Sequence, residues 1–148
     1  MHRAKYALGG FTLIELIIAM VITSVLLMIS LPAYQQQLVR ARRALARAEL
    51  QEVAMRQEQY FLDHRRYAAS LRDLGYPDDP MVLDEQGNNL PGSAGGIYRI
   101  ELSMLDDVYT VYASTHTAHP GDPHCGRLSV SALGVKGISG SGTLSECW

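Results

Sequence analysis

A long apolar stretch stands near the start of the chain, and no second one follows it. From Phe11 to Leu31 the sequence reads FTLIELIIAMVITSVLLMISL, 21 residues in which the only charge is that of Glu15. At 1.5 Å per residue such a helix is about 31 Å long, close to the roughly 30 Å hydrocarbon thickness of a bilayer. The pattern predicts one membrane-length helix.

The polar and apolar positions after residue 34 predict a helix of another kind. No Pro or Gly occurs between Gln35 and Asp63, and apolar positions recur every three or four residues, as on the buried face of an amphipathic helix. Pro32 lies between the two helical segments, and we expect a kink there because proline lacks the backbone N–H. The predicted buried stripe comprises Ala46, Leu50, Val53, Gln57, Tyr60 and Phe61.

The rest of the chain changes from a helical period to a period of two. Residues 64–96 contain GYPDDP and GNNLPGSAGG and are predicted as loop, with one short helical turn in RRYAASLRDLGY. Alternation predicts strands at 97–102, 108–114 and 126–132, the first two joined by the five-residue link 103–107. A long helix packed on a small antiparallel sheet is an α+β fold, with the helix stripe covering one face of the sheet.

Composition indicates a folded chain whose charge is unevenly distributed. Hydrophobic residues make up 47% of the 148 residues, charged residues 19%, and the formal net charge is −2, which excludes a disordered, charge-rich protein. Residues 63–148 carry six basic and eleven acidic side chains. Because phosphate binding depends on clustered Lys and Arg, we expect no nucleic-acid partner for this part.

Four arginines follow the apolar stretch: Arg40, Arg42, Arg43 and Arg47. A solvated helix face is the simplest interpretation of these side chains. Contacts with lipid head groups, or with acidic groups of neighbouring molecules, are the alternatives.

The chain has two cysteines, Cys125 and Cys147. We predict a disulfide bond in an oxidising compartment, since the residues between them are too rich in Gly and Ser to hold themselves in place. A loop of this length adds roughly 3 kcal/mol of stability, mostly through the unfolded state. The alternative is a pair of buried free thiols in a cytosolic protein.

Two clusters contain residue types that bind metals, but neither has the spacing of a known metal site. The segment HTAHPGDPHC places His116, His119, His124 and Cys125 within ten residues, but its spacing matches no standard zinc site and Cys125 is assigned to the disulfide. Asp78, Asp79 and Asp84 lack the ligand spacing of a calcium loop. No nucleophile–base pair or phosphate-binding loop is present, so we expect no enzyme, no catalytic residue, no metal and no cofactor.

The start of the apolar stretch, GGFTLIEL, differs from a secretory signal because its small residues precede the apolar run. Cleavage after Gly10 would keep the apolar run and create a new amino group on Phe11, at the start of a helix. Glu15 lies one turn along the same face. A carboxylate in an apolar environment is costly unless it is paired, so this amine is its natural partner.

The segment GGFTLIEL resembles the processing site of type IV pilins and the related pseudopilins. The resemblance implies that a prepilin peptidase cuts after Gly10 and methylates the amine of Phe11. It further implies that Glu15 aligns each subunit with the N-terminus of its neighbour in a filament, and that the helix around Pro32 loosens during assembly.

The other end of the chain resembles minor pilins of the PilE type, through Cys125-Gly126, Leu133-Gly134 and the final Cys147-Trp148. This implies a leader at 1–10, a transmembrane and filament-core helix at 11–33, and a periplasmic head at 34–148. The expected function is that of a structural minor subunit of a type IV pilus, located in the inner membrane and then in the filament. The implied partners are prepilin peptidase, other pilin subunits, inner-membrane assembly proteins and the membrane.

Alternatives remain open at this level. A type II secretion pseudopilin or a major pilin would carry the same N-terminal motif. A pilus-associated adhesin or DNA-uptake receptor is an alternative of another class. The positive-inside rule also disagrees with a periplasmic head, because two basic residues, Arg3 and Lys5, precede the span while four arginines follow it.

Overall fold

A computed structural model describes residues 11–91, 95–116 and 121–148. The chain divides into two compact units, an N-terminal unit that ends at Leu38 and a head, Val39–Trp148. The elements in chain order are the helix α1 (Leu13–His64), a 3₁₀ turn (Arg72–Leu74), the strands β1 (Met81–Leu83), β2 (Asn89–Leu90), β3 (Tyr98–Leu105), β4 (Val108–Thr115), β5 (Leu128–Ser131) and β6 (Lys136–Ile138), and the short helix α2 (Leu144–Cys147).

In the N-terminal unit, α1 is apolar on all sides. Its large apolar side chains between Leu13 and Leu31 are all exposed, and this stretch is long and apolar enough to cross a membrane by length and composition. α1 continues through Pro32 as one element of 52 residues, so the two predicted helical segments belong to a single helix. The kink at Pro32 stays a prediction.

The head contains a six-stranded antiparallel sheet with the strand order β2-β1-β3-β4-β5-β6. The α+β class and the three predicted strands are confirmed as β3, β4 and β5. The strands β1, β2 and β6 were not predicted, and β1 and β2 lie in the segment predicted as loop. Each has only two or three residues, too few for an alternating pattern to stand out.

The connection between β3 and β4 is shorter than predicted. Only Asp106 and Asp107 form the turn, with φ angles of 48° and 63°, and Leu105 pairs directly with Val108 across it. Positive φ at both central positions is the geometry of the two-residue hairpin turn that matches the twist of the strands. The five-residue link was therefore wrong, because residues 103–105 continue β3.

The predicted stripe of α1 is buried, and it forms one core with the inward side of the sheet. Ala46, Leu50, Val53 and Gln57 are each fully buried, while Tyr60 and Phe61 at the end of the stripe are half-buried. The inward side chains of the three long strands complete this core: Tyr98, Ile100, Tyr109, Val111, Ala113, Leu128 and Val130.

Gln57 is a polar residue in the middle of this core, and its amide is fully used. Its Nε2 donates a hydrogen bond to the Ala68 carbonyl at 3.0 Å, and the Ala68 N–H donates to its Oε1 at 2.8 Å. Ala68 itself is buried. The side chain thus replaces a backbone partner for the segment after α1 and fixes that segment against the helix.

We predict that Gln57→Leu lowers the free energy of unfolding of the head. The change leaves the buried N–H and carbonyl of Ala68 without partners, at about 1–3 kcal/mol for each group. Denaturant unfolding of the full chain in detergent, followed by the fluorescence of its single tryptophan, Trp148, measures the loss. Gln59→Leu, on the exposed side of α1, is the matched control, and equal unfolding midpoints for the two variants would contradict the prediction.

Candidate functional sites: the helix start and the disulfide loop

The start of α1 is closed by a reciprocal cap between Thr12 and Glu15. The Glu15 N–H donates to the Thr12 hydroxyl oxygen at 3.3 Å, and the Thr12 N–H lies 3.5 Å from Glu15 Oε2. This arrangement satisfies two of the N–H groups that a helix start leaves unpaired, and it places a negative charge at the positive end of the helix dipole.

The first residue of α1 lies later in the chain than the expected start at Phe11. α1 begins at Leu13, so Phe11 precedes the helix and is 84% exposed. Glu15 is exposed as well. Gly10 lies outside the described residues. Thr12 is not among the predicted site residues, although the pattern Thr-x-x-Glu ahead of an apolar run is the signal of such a cap.

The second site is the disulfide loop, Cys125–Cys147, at the edge of the sheet. The bond has an S–S distance of 2.00 Å, and both cysteines are buried. α2 begins after Thr143, whose N–H and hydroxyl donate to Glu146 Oε2 at 2.9 and 2.7 Å. These hydrogen bonds lower the pKa of Glu146, so the carboxylate stays charged at the start of α2.

Two arginines of α1 hold this loop to the helix. The guanidinium of Arg43 forms a buried ion pair with Asp122 at 2.7 Å and donates to the Glu146 carbonyl at 3.2 Å. Arg47 donates to the main-chain oxygen of Trp148 at 2.9 Å. A third arginine, Arg42, pairs with Glu85. The expected solvated face was therefore wrong for these three arginines, because acidic and carbonyl groups far away in sequence fold back onto them.

Asp122 links the ion pair to the disulfide. Its Oδ1 accepts the N–H of Cys125 at 3.2 Å, and its carbonyl accepts the N–H of Gly126 at 2.6 Å. Tyr98 belongs to the same region, and burial followed by the negative charge of Asp122 raises its pKa to about 12. The hydroxyl of Tyr98 therefore stays neutral at physiological pH.

Several members of the two candidate metal clusters have other partners among the described residues. His124, Cys125 and Cys147 have ligand atoms within 4.8 Å of one another, but the disulfide uses both sulfur atoms, and thiolates are what bind zinc. His119 lies outside the described residues. Asp79 accepts the N–H of Leu71. Asp84 accepts hydrogen bonds from the side-chain amide and the N–H of Asn88 and from the N–H of Gln86, and these bonds lower the pKa of Asp84.

Two exposed cations lie on aromatic rings near this edge of the sheet. The guanidinium of Arg127 lies 4.5 Å from the centre of the Tyr112 ring, and the ammonium of Lys136 lies 4.9 Å from that of Trp148. The Trp148 indole N–H donates to the Gly137 carbonyl at 3.1 Å, which fixes that ring. The face of each ring attracts its cation, and both cationic side chains are exposed to solvent.

Comparison with known protein families gives two matches. Residues 9–31 match the model of the prokaryotic N-terminal methylation motif. Residues 32–129, about two thirds of the chain, match the family described as type IV minor pilin ComP, DNA uptake sequence receptor. The second match includes Cys125 and ends before Cys147. A search of curated proteins found no match.

We predict that Arg43→Met destabilises the head strongly. Asp122 would remain buried without its partner, and breaking one side of a buried ion pair costs about 3–5 kcal/mol. The matched control is Arg99→Met, which removes an arginine from the exposed pair with Glu101 and should cost less than about 1 kcal/mol. Denaturant unfolding of both variants measures the difference, and similar losses would show that the buried pair has no special role.

Proposed function

Because the chain belongs to the family of the type IV minor pilin ComP, we propose that it is made as a prepilin, processed at Gly10 and Phe11, and inserted into a type IV pilus through α1. The observation that carries the proposal is the start of α1. A methylation motif, a capped Glu15 and a helix that is exposed and apolar on every side follow one another within residues 9–31.

The exposed apolar half of α1 needs a surrounding that is not water. Its large side chains gain about 25 cal/mol for each Å² of apolar surface removed from water. A bilayer supplies that surrounding before assembly, and the apolar helices of other subunits supply it afterwards. In this proposal the leader is 1–10, the transmembrane and filament-core segment is 11–33, and 34–148 is the periplasmic domain.

Glu15 supplies the specificity of assembly in this proposal. The two hydrogen bonds of the cap join Glu15 to Thr12 and bring no positively charged group to the carboxylate. A charge among apolar helices is costly unless an opposite charge pairs with it. The amine that cleavage creates on Phe11 of a neighbouring subunit provides that charge. The acting enzyme is prepilin peptidase, and the other partners are pilin subunits and inner-membrane assembly proteins.

The disulfide and the arginines support a head on the periplasmic side. A disulfide persists in an oxidising compartment. Four arginines after the span oppose this orientation when counted, but three of them, Arg42, Arg43 and Arg47, bind groups of the head itself. Their place in the sequence thus follows from the fold of the head.

We predict that the protein extracted from membranes lacks residues 1–10 and carries one methyl group on Phe11. Intact mass with and without reduction measures both changes together with the disulfide. An uncut, unmethylated chain would overturn the processing proposal. Recovery of the protein in filaments sheared from the cell surface distinguishes a pilus subunit from a secretion pseudopilin.

We predict that Glu15→Ala leaves cleavage intact and strongly reduces incorporation into filaments. The substitution removes the carboxylate, so the Phe11 amine of the neighbouring subunit stays unpaired in the filament core. Immunoblots of sheared filaments and of membranes, compared at equal membrane level, measure incorporation. Thr23→Ala is the control, because its hydroxyl bonds only the Ala19 carbonyl of its own helix. Normal incorporation of Glu15→Ala would overturn the pairing.

We propose DNA binding by the head as a second function. The matching family is described as a DNA uptake sequence receptor, and the exposed pairs Arg127–Tyr112 and Lys136–Trp148 offer cations at one edge of the sheet. The acidic total of residues 63–148 argues against it. The summed charge of residues 63–148 overstates this effect. Carboxylates that are paired, or that lie more than about 10 Å from Arg127 and Lys136, reduce the local positive potential little, because charges at that distance are largely screened.

We predict that Arg127→Ala with Lys136→Ala weakens DNA binding by the full chain in detergent. Each lost phosphate contact should lower the slope of log affinity against log salt by about one. Fluorescence anisotropy with a labelled duplex at several salt concentrations measures the slope. Arg65→Ala with Arg66→Ala, at two exposed positions directly after α1, is the control. Binding absent in the unchanged protein would leave only the structural function.

A further inference from the structure

The face of the sheet turned away from α1 changes character along its length. In β4, Tyr109, Val111 and Ala113 are buried in the core, so Val108, Thr110 and Tyr112 lie on the opposite, open face. Opposite Thr110 and Tyr112 in the register of β5 stand Ser131 and Ser129. Most of this open face is therefore polar.

One end of the open face is aliphatic instead. Leu105 pairs with Val108 across the β3–β4 turn. After β5 the chain turns at Ala132 and Leu133. The Ala132 N–H donates to the Tyr109 carbonyl at 3.0 Å, so Leu133 lies at the end of the sheet where β4 begins with Val108. Val135 lies opposite Ser131, whose N–H donates to its carbonyl at 3.0 Å.

We call these four residues the aliphatic tip, and all of them are accessible. The exposed fractions are 75% for Leu105, 40% for Val108, 82% for Leu133 and 64% for Val135. Single exposed aliphatic residues scattered over a surface are ordinary, but four at one end of an otherwise polar face are typical of an interaction surface.

Two carboxylates stand beside the aliphatic tip. Asp106 and Asp107 form the turn between Leu105 and Val108, and both are exposed. Neither forms an ion pair with another described residue. These charges disfavour a phosphate backbone or a bilayer as the occupant, because phosphate is repelled and a lipid interior would desolvate both groups. They favour an apolar surface that carries a cation.

The start of the head helix presents such a surface. Arg40, Ala41 and Ala44 are exposed on α1, and the two alanines leave a shallow surface that larger side chains can fill. The next arginines, Arg42 and Arg43, bind carboxylates within the head. Arg40 has no such partner among the described residues.

We propose that the aliphatic tip of one copy docks on the Arg40–Ala44 surface of a second copy, with Asp106 and Asp107 beside Arg40. The two surfaces differ, so the contact is head-to-tail and repeats from copy to copy. Contacts of this kind generate open helical arrays when the rotation between copies does not close a ring. The proposal rests on the proposed function in this respect, since a filament is such an array.

Cysteine cross-linking tests the contact directly. Full-length chains with Leu133→Cys and with Ala44→Cys are produced in the same cells, and isolated membranes are treated with a short bismaleimide. The native cysteines are buried in their disulfide and do not compete. Gln86→Cys, exposed in the β1–β2 turn, replaces Leu133→Cys in the control pair. We expect a several-fold higher yield of mixed dimer than in the control, and equal yields would overturn the docking.

A charge exchange tests the role of the carboxylates. Arg40→Asp alone, and Asp106→Arg with Asp107→Arg, should each lower the cross-link yield several-fold, and the three changes in one chain should restore it. Failure of the combined variant to recover would overturn the pairing. If liposomes or duplex DNA protected Leu133→Cys from reaction with maleimide, and no cross-link to Ala44→Cys formed, the docking on a second copy would also be overturned.

The outcome is separable from that of the proposed function. A chain that is cleaved, methylated and recovered in filaments but gives no cross-link above the control overturns only the docking. An uncut chain absent from filaments overturns the proposed function, whatever the cross-link yield.

Discussion

The packing of α1 is the constraint on which the rest of the structure depends. One helix of 52 residues has to satisfy two surroundings. Up to Leu31 it is apolar on every side, and its large apolar side chains are exposed. After Val39 its apolar positions narrow to a stripe that a sheet can cover. The head is therefore built on the second part of the same helix whose first part needs lipid or other helices.

The disulfide loop shows how a segment with few apolar residues becomes part of a stable head. Its Gly- and Ser-rich sequence supplies little core of its own. At Gly140 an added Cβ would lie 2.3 Å from the His124 carbonyl oxygen, so the glycines allow the two sides of the loop to approach closely. The disulfide then closes the loop, and Arg43 and Arg47 attach it to α1.

The arginines of α1 show the difference between counting charges and placing them. Counted along the sequence, four arginines after an apolar span suggest a solvated or membrane-facing cluster. In the folded head, Arg42 and Arg43 neutralise carboxylates from the loops, and Arg40 is left for contacts beyond the head. The net charge of −2 therefore describes neither the buried pairs nor the exposed basic edge at Arg127 and Lys136.

The sequence by itself determined the features that depend on local pattern. The membrane-length run, the helix stripe and the three longer strands follow from periods that neighbouring residues impose on one another. The motif around Gly10, Phe11 and Glu15 and the pairing of Cys125 with Cys147 were also accessible, because few alternatives exist for two cysteines or for a charge in such a run. Those features include the elements that form the core.

Only the tertiary structure decided the features that join distant residues. The partner of Gln57 lies 11 residues away, that of Arg43 lies 79 away, and that of Arg47 lies 101 away, and no local period encodes such pairs. The short strands β1, β2 and β6 exist because longer neighbours offer them a ladder of hydrogen bonds. The aliphatic tip arises in the same way, since strand pairing and the turn after β5 bring Leu105, Val108 and Leu133 to one end of the sheet.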